Sequence, residues 1–132
     1  MAVQVDVEPS VRQKEIVQQY LHHLDEHIAE LKAGTAARTF EINDLADLIH
    51  IHPTHLSNTI AQVLGQSPCD LYEQRLINIS KELLTTSTRS VASIARQLHY
   101  DPSNFNKFFK HFEGITPKRY RELAMTEKNS GL

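Results

Sequence analysis

The chain has 132 residues, 40% of them hydrophobic, a net charge of −2 and a single cysteine, Cys69. That length suffices for one compact domain or two very small ones, and the lone cysteine excludes an intramolecular disulfide and a Cys-rich zinc site, which fits a reducing cytoplasm. The opening MAVQVDVEPSVRQKE lacks the basic start and apolar core of a secretory signal, and no apolar run approaches bilayer length, so the expectation is a cytoplasmic protein with no membrane partner.

In chain order, Val17, Leu21, Leu24, Ile28 and Leu31 recur at alternating intervals of four and three, which predicts a long helix over about 10–32 with Gly34 as its C-cap. Such a stripe can be a dimerising seam, but its ordinary use is packing inside the chain, and the expectation is a monomer rather than a homodimer. Shorter helices are predicted at about 42–49, 53–64, 68–86, 90–98, 102–113 and 117–124. Pro53, Pro68, Pro102 and Pro117 each stand at an expected first helical position, where proline's fixed φ fits and its missing N–H is not needed. The tail from 125 to 132 is expected to fray. The fold class is therefore all-α.

Charge is unevenly spread along these elements. Residues 1–72 carry four Lys/Arg against ten Asp/Glu, a balance of −6, whereas residues 87–121 carry seven against two, a balance of +5. A polyanionic partner would be gripped by the C-terminal part; the bland alternative is a solvated charge pattern.

An internal repeat organises the chain. With an offset of 49 residues and no gaps, INDLADLIHIHPTHLSNTIAQVLGQSPCDLY (42–72) lies over VASIARQLHYDPSNFNKFFKHFEGITPKRYR (91–121). Ala46 meets Ala95, His50 meets His99, Pro53 meets Pro102, Gly65 meets Gly114 and Pro68 meets Pro117, and the apolar positions correspond as well. Two copies at this period are too few for a solenoid. Each copy reads as a short helix with a small Ala on its inner face, a tight turn and a second helix with one polar face left free, the arrangement of a helix-turn-helix.

On LADLIHIHPTHLS, SPCDLYEQRLINISKELL and above all SVASIARQLHYDPSNFNKFFKHFEGITPKRYR, the chain from about Ile42 to Arg121 resembles the DNA-binding domain of the AraC/XylS family of bacterial transcription regulators. The resemblance implies a first helix-turn-helix (42–66), a rigid linker helix (67–87), and a second helix-turn-helix with a closing helix (88–124); the apolar stripe of the N-terminal tail and long helix (1–41), which the resemblance does not cover, is expected to pack on the first unit. The resemblance also implies double-stranded DNA as partner, read by two recognition helices in successive major grooves, with RNA polymerase as a further partner and no cofactor. Two features depart from the family: His50 and His99 stand where it usually has Gly, and the second turn is one residue shorter before DPSNF. Histidine is among the non-glycine residues better able to take a positive φ, so both turns are expected to form at some strain.

Helical spacing predicts Leu56, Ile60 and Leu64 buried in the first recognition helix, and Phe105, Phe109 and Phe112 in the second. The resemblance then assigns base reading to the outward Thr54, Ser57 and Asn58 and to Ser103, Asn106 and Lys107, side chains whose donors and acceptors suit base edges. Arg89, Ser90, Lys110, His111, Lys118, Arg119 and Arg121 are candidates for phosphate contacts, aided by the helix starts near Ser90 and Pro117. Arg121 and Arg75 have a competing structural role, holding helices together through carboxylates or carbonyls.

The cluster HIHPTHLS offers three imidazoles, and His23 and His27 stand four apart, a metal-compatible spacing. In the repeat, however, His50 falls at the turn, His52 opposite the helix-capping Asp101 and His55 opposite Asn104, so the three have different duties and no metal is expected. No HExxH motif, phosphate-binding glycine loop or nucleophile elbow points to an enzyme. The alternative function is a helical protein-interaction or dimerisation module with only non-specific DNA binding. Residues 1–41 are too few for a ligand-enclosing barrel; were these 132 residues the full-length product, control would be expected to lie in abundance or in a partner.

Overall fold

A computed structural model describes residues 8–130, with side chains for 8–127. Among these residues there are seven helices and no strand: α1 (Val11–Ala33), α2 (Ile42–Ile49), α3 (Pro53–Leu64), α4 (Pro68–Thr86), α5 (Val91–Gln97), α6 (Pro102–Glu113) and α7 (Pro117–Ser130). No described helix is long and apolar enough to cross a membrane. The stretch read for a secretory signal lies outside the described residues through residue 7.

The helix starts follow from local chemistry. Ser10 and Gln13 close a reciprocal cap on α1, the hydroxyl accepting from the Gln13 N–H at 3.0 Å and the amide oxygen from the Ser10 N–H at 2.9 Å. Ser67 accepts from the Asp70 N–H at the start of α4, and Thr116, its repeat equivalent, accepts from the Arg119 N–H at the start of α7. At α3 the imidazole of His52 accepts from the Thr54 N–H at 3.1 Å, while at α6 the Asp101 carboxylate accepts from both Ser103 and Asn104. Each cap satisfies N–H groups that a helix leaves orphaned. The closing helix, expected to stop at 124, continues to Ser130, because neither Gly nor Pro follows Pro117 until Gly131; residues 131–132 lie outside the described part.

The chain divides into two units, and α1 and α4 contribute a segment to each. In the first, Ile16, Val17, Tyr20 and Leu24 of α1 are buried together with Leu45, Ala46 and Ile49 of α2, Leu56, Thr59 and Ile60 of α3, and Leu71. In the second, His27, Ile28 and Leu31 of α1 are buried with Leu76, Ile77, Ile79 and Leu84 of α4, Ile94, Ala95 and Leu98, and Phe105 and Phe109 of α6. The α1 stripe therefore serves both units. Ala46 and Ala95 are each fully buried, as expected of small residues where two helices cross closely.

The cores differ in filling. Where the first unit has Leu56 and Ile60, the second has Phe105 and Phe109, and Tyr100, Phe108 and Tyr120 extend these into an aromatic cluster with centroid separations of 5.3–6.1 Å. Two expected core residues lie outside: Leu64 is 36% and Phe112 39% exposed. Steps of four from Leu56 through Ile60 to Leu64 drift about 80° around a helix, and Thr59 takes the inner position instead. Phe112 belongs to the last turn of α6, beyond the point where Tyr120 packs edge-on against Phe109.

Candidate nucleic-acid interface

Each unit presents a second helix reached through a turn of the same geometry. His50 and His99 both adopt φ 62°, the only non-glycine residues with positive φ among those described. After α2, the His50 N–H donates to the Asp47 carbonyl at 3.2 Å and the Ile51 N–H to the Ala46 carbonyl at 3.1 Å. After α5, the His99 N–H donates to the Arg96 carbonyl at 3.0 Å and the Tyr100 N–H to the Ala95 carbonyl at 2.9 Å. These are the paired bonds of a Schellman ending, with histidine in the place that glycine usually takes. The sequence expectation of a formed, strained turn thus matches the backbone at both positions.

The turns aim α3 and α6 so that one face of each is buried and the other polar. On α3, Thr54 and Asn58 are exposed and Ser57 half-exposed; on α6, Ser103, Asn106 and Lys107 are all exposed. All six base-reading candidates therefore lie on solvent-facing positions of the two helices. Thr59, the intervening polar residue, is buried and returns its hydroxyl to the His55 carbonyl at 2.8 Å. The outward face of α3 carries no Lys or Arg.

The cationic candidates separate into three groups. Lys107, Lys110, Lys118 and His111 are exposed, and Lys118 and Asn106 line one groove of about 390 Å³ with Val91, Ala92, Pro102 and Thr116. The groove brings together the N-terminal ends of α5, α6 and α7, which the sequence could not place side by side. Arg119 is also exposed but pairs with Glu122 at 3.6 Å, a weak, solvent-screened contact.

Arg89 and Arg121 are engaged with the protein itself. Arg121 is half-buried, its Nε donating to the Leu84 carbonyl at 2.9 Å and its Nη2 to the Ser87 carbonyl at 3.3 Å. It closes the C-terminal end of α4, where a cation satisfies orphan carbonyls and opposes the helix dipole. Of its two roles considered from sequence, the geometry favours the structural one. Arg89 lies back along α5, with Nε and Nη2 on the Ser93 hydroxyl at 3.2 and 2.7 Å and Nη1 on Gln97 Oε1. The Ser90 hydroxyl accepts from the Ser93 N–H at 3.0 Å as the α5 cap, which leaves its own O–H to donate.

The histidines do not converge. His50 forms a turn, His52 caps α3 and His55 is exposed. His27 is buried with its ring stacked on Tyr72 at 6.0 Å, while His23 is half-exposed, 4.0 Å from Glu26. Among the described residues no group of three or more His, Cys, Asp or Glu is placed to hold a metal ion.

Gln97 escaped sequence reasoning. Its repeat equivalent is Leu48, which is exposed, whereas Gln97 is half-buried and bonded at both ends of its amide. A polar residue replacing an apolar one at equal register was the available signal.

Comparison with known proteins bears on this arrangement. The family model described as a helix-turn-helix domain matches residues 45–123. An uncharacterized HTH-type transcriptional regulator of Bacillus subtilis, YisR, is 29% identical over 117 residues, covering 88% of this chain and 38% of that protein. The arabinose operon regulatory protein of Escherichia coli is 27% identical over 117 residues, covering 84% of this chain and 40% of its own length. Among solved structures, the C-terminal domain of AraT, a response regulator from Geobacillus stearothermophilus, superposes with a TM-score of 0.71 at 25% identity, covering 82% of this chain and 84% of that one. The chain thus spans about two fifths of the length of these two curated relatives.

Proposed function

The chain belongs to the AraC/XylS family of helix-turn-helix transcription regulators, and from that premise we propose that it recognises a specific double-stranded DNA sequence through α3 and α6, placed in successive major grooves. The observation that carries this reading is the repeated turn: His50 and His99 share one backbone conformation, and each leads into a helix whose outward face holds small polar or amide side chains. Asn58 and Asn106 suit the adenine edge, Lys107 the guanine edge, and Thr54, Ser57 and Ser103 several bases.

The affinity in this reading is divided unequally. The first unit offers neutral contacts from α3, and the second supplies the cations: Lys107 among the bases, and Lys110, Lys118, His111 and Arg119 toward the phosphates. Arg89 joins the phosphate set when its donors are released from α5, and Ser90 through its free O–H. RNA polymerase is the further partner of a regulator acting at a promoter, and a cytoplasmic location accords with both. A single copy of the chain carries both recognition helices, so one monomer suffices for a bipartite site.

Selection of bound sequences from a random duplex pool, followed by footprinting, tests the proposal. The expected outcome is an enriched motif of roughly 20 base pairs protected on one face of the duplex. A pool in which no motif is enriched would leave only non-specific, phosphate-driven binding and would refute recognition by the two helices.

A further inference from the structure

The C-terminal end of α1 is closed partly from outside the helix. Gly34, with φ 77°, turns the chain, and the Thr35 and Ala36 N–H groups donate to the Glu30 carbonyl. The next two carbonyls receive a side chain: Gln97 Nε2 donates to Leu31 at 3.1 Å and to Lys32 at 2.7 Å. Oε1 of the same amide accepts from Nη1 of Arg89. One side chain is thus bonded through its donors to the negative end of a 23-residue helix and through its acceptor to a cation. Each bond polarises the amide in the sense that strengthens the other.

Arginine has five N–H donors. In Arg89 the Nε–H, the Nη2 group and one Nη1–H are directed at Ser93 and Gln97. The edges that a phosphate would take with two parallel bonds are therefore occupied. Arg89 nevertheless stays exposed, so a competing anion can reach it.

We propose that Gln97 is a positioning residue that parks Arg89 on α5 in the DNA-free protein and ties it to the end of α1. The DNA backbone recruits Arg89 only by displacing it from Gln97. This rests on Arg89 being a phosphate contact.

The test measures binding of the 132-residue chain to a mixed-sequence duplex of about 30 base pairs, since phosphate contacts do not depend on sequence and that length spans two grooves. Gln97→Met, which keeps the side-chain length and removes all three bonds of the amide, is expected to tighten binding about two- to fivefold when Arg89 is present and to change nothing in the Arg89→Ala background. Ser93→Ala, which leaves the end of α1 alone, is expected to tighten it in the same direction and keeps the test valid if Gln97→Met folds poorly. In the free protein, NMR should find the Arg89 Nε–H exchanging more slowly than that of the exposed Arg96, with the difference reduced by either substitution. Unchanged binding in both variants, or the same change in both backgrounds, overturns the positioning role and leaves the phosphate contact standing. An Arg89→Ala protein with unchanged affinity and salt dependence overturns both.

Discussion

His50 and His99 hold one backbone conformation, φ 62° in each, but only His99 turns its ring to a main-chain partner, Nε2 donating to the Ala36 carbonyl at 2.7 Å. The shared φ is a shared cost, because a side chain at positive φ meets the following carbonyl, and glycine escapes that. The ring bond belongs to one copy alone. His50→Gly should therefore stabilise the protein by about 0.5–1 kcal/mol. His99→Gly, which gains the same relief but frees the Ala36 carbonyl, should fall about 1 kcal/mol behind it. Urea denaturation of the two variants measures the difference, and equal midpoints would mean that the ring bond adds nothing.

The caps of the two recognition helices are unequal in kind. His52 offers a single ring nitrogen to the Thr54 N–H, whereas Asp101 serves two N–H groups with a charged acceptor beside the positive helix end. Replacing His52→Asp should raise stability by about 0.5–1 kcal/mol. It should also weaken DNA binding, because the new charge stands two residues before Thr54, at the end of α3 that carries the base-reading candidates. A calorimetric melt and a binding isotherm on the same variant separate the two effects, and a fall in both would argue against the capping role.

Tyr72 is a polar group the core does not need. Its hydroxyl is buried with no hydrogen-bond partner among the described residues, and burial, followed by the nearby Tyr100, pushes its pKa from 10 up to about 12. A raised pKa means that the folded state holds the proton more tightly than the unfolded one. The associated stability is complete below pH 10 and is lost as the pH rises toward 12. Tyr72→Phe should flatten the pH dependence in that window and leave neutral-pH stability equal or about 1 kcal/mol higher. A loss of more than that would mean the hydroxyl has a partner.

The unequal charge of the two helices predicts where salt dependence resides. Lys107→Ala and Lys110→Ala together should weaken binding to any duplex and lower the salt slope by about one to two. Asn58→Ala on α3 should leave the slope unchanged. Isotherms at several salt concentrations decide this, and an unchanged slope in the double lysine variant would remove α6 from the phosphate-gripping role.

Much of this molecule was legible because its signals were local and stated twice. Prolines at helix starts, glycines or histidines at helix ends and the 49-residue offset each set element boundaries without reference to distant contacts. Legibility stopped where burial depends on what arrives from elsewhere. Leu64 and Phe112 have suitable spacing, but each keeps more than a third of its surface exposed at the last turn of its helix. Arg121 could be read as a DNA contact or as a helix clamp until the Leu84 and Ser87 carbonyls came within its reach. Gln97 acts through Leu31 and Lys32, more than sixty residues earlier, and no periodicity within α5 announces that pairing.

Separate reading of two parts of one DNA site by α3 and α6 is tested by sequence selection repeated with Asn58→Ala and with Asn106→Ala. Each variant is expected to enrich the parental motif with relaxed preference at one position, the two positions lying about ten base pairs, one helical turn, apart. Relaxation at the same position in both variants, or motifs identical to the parent in both, would contradict separate reading.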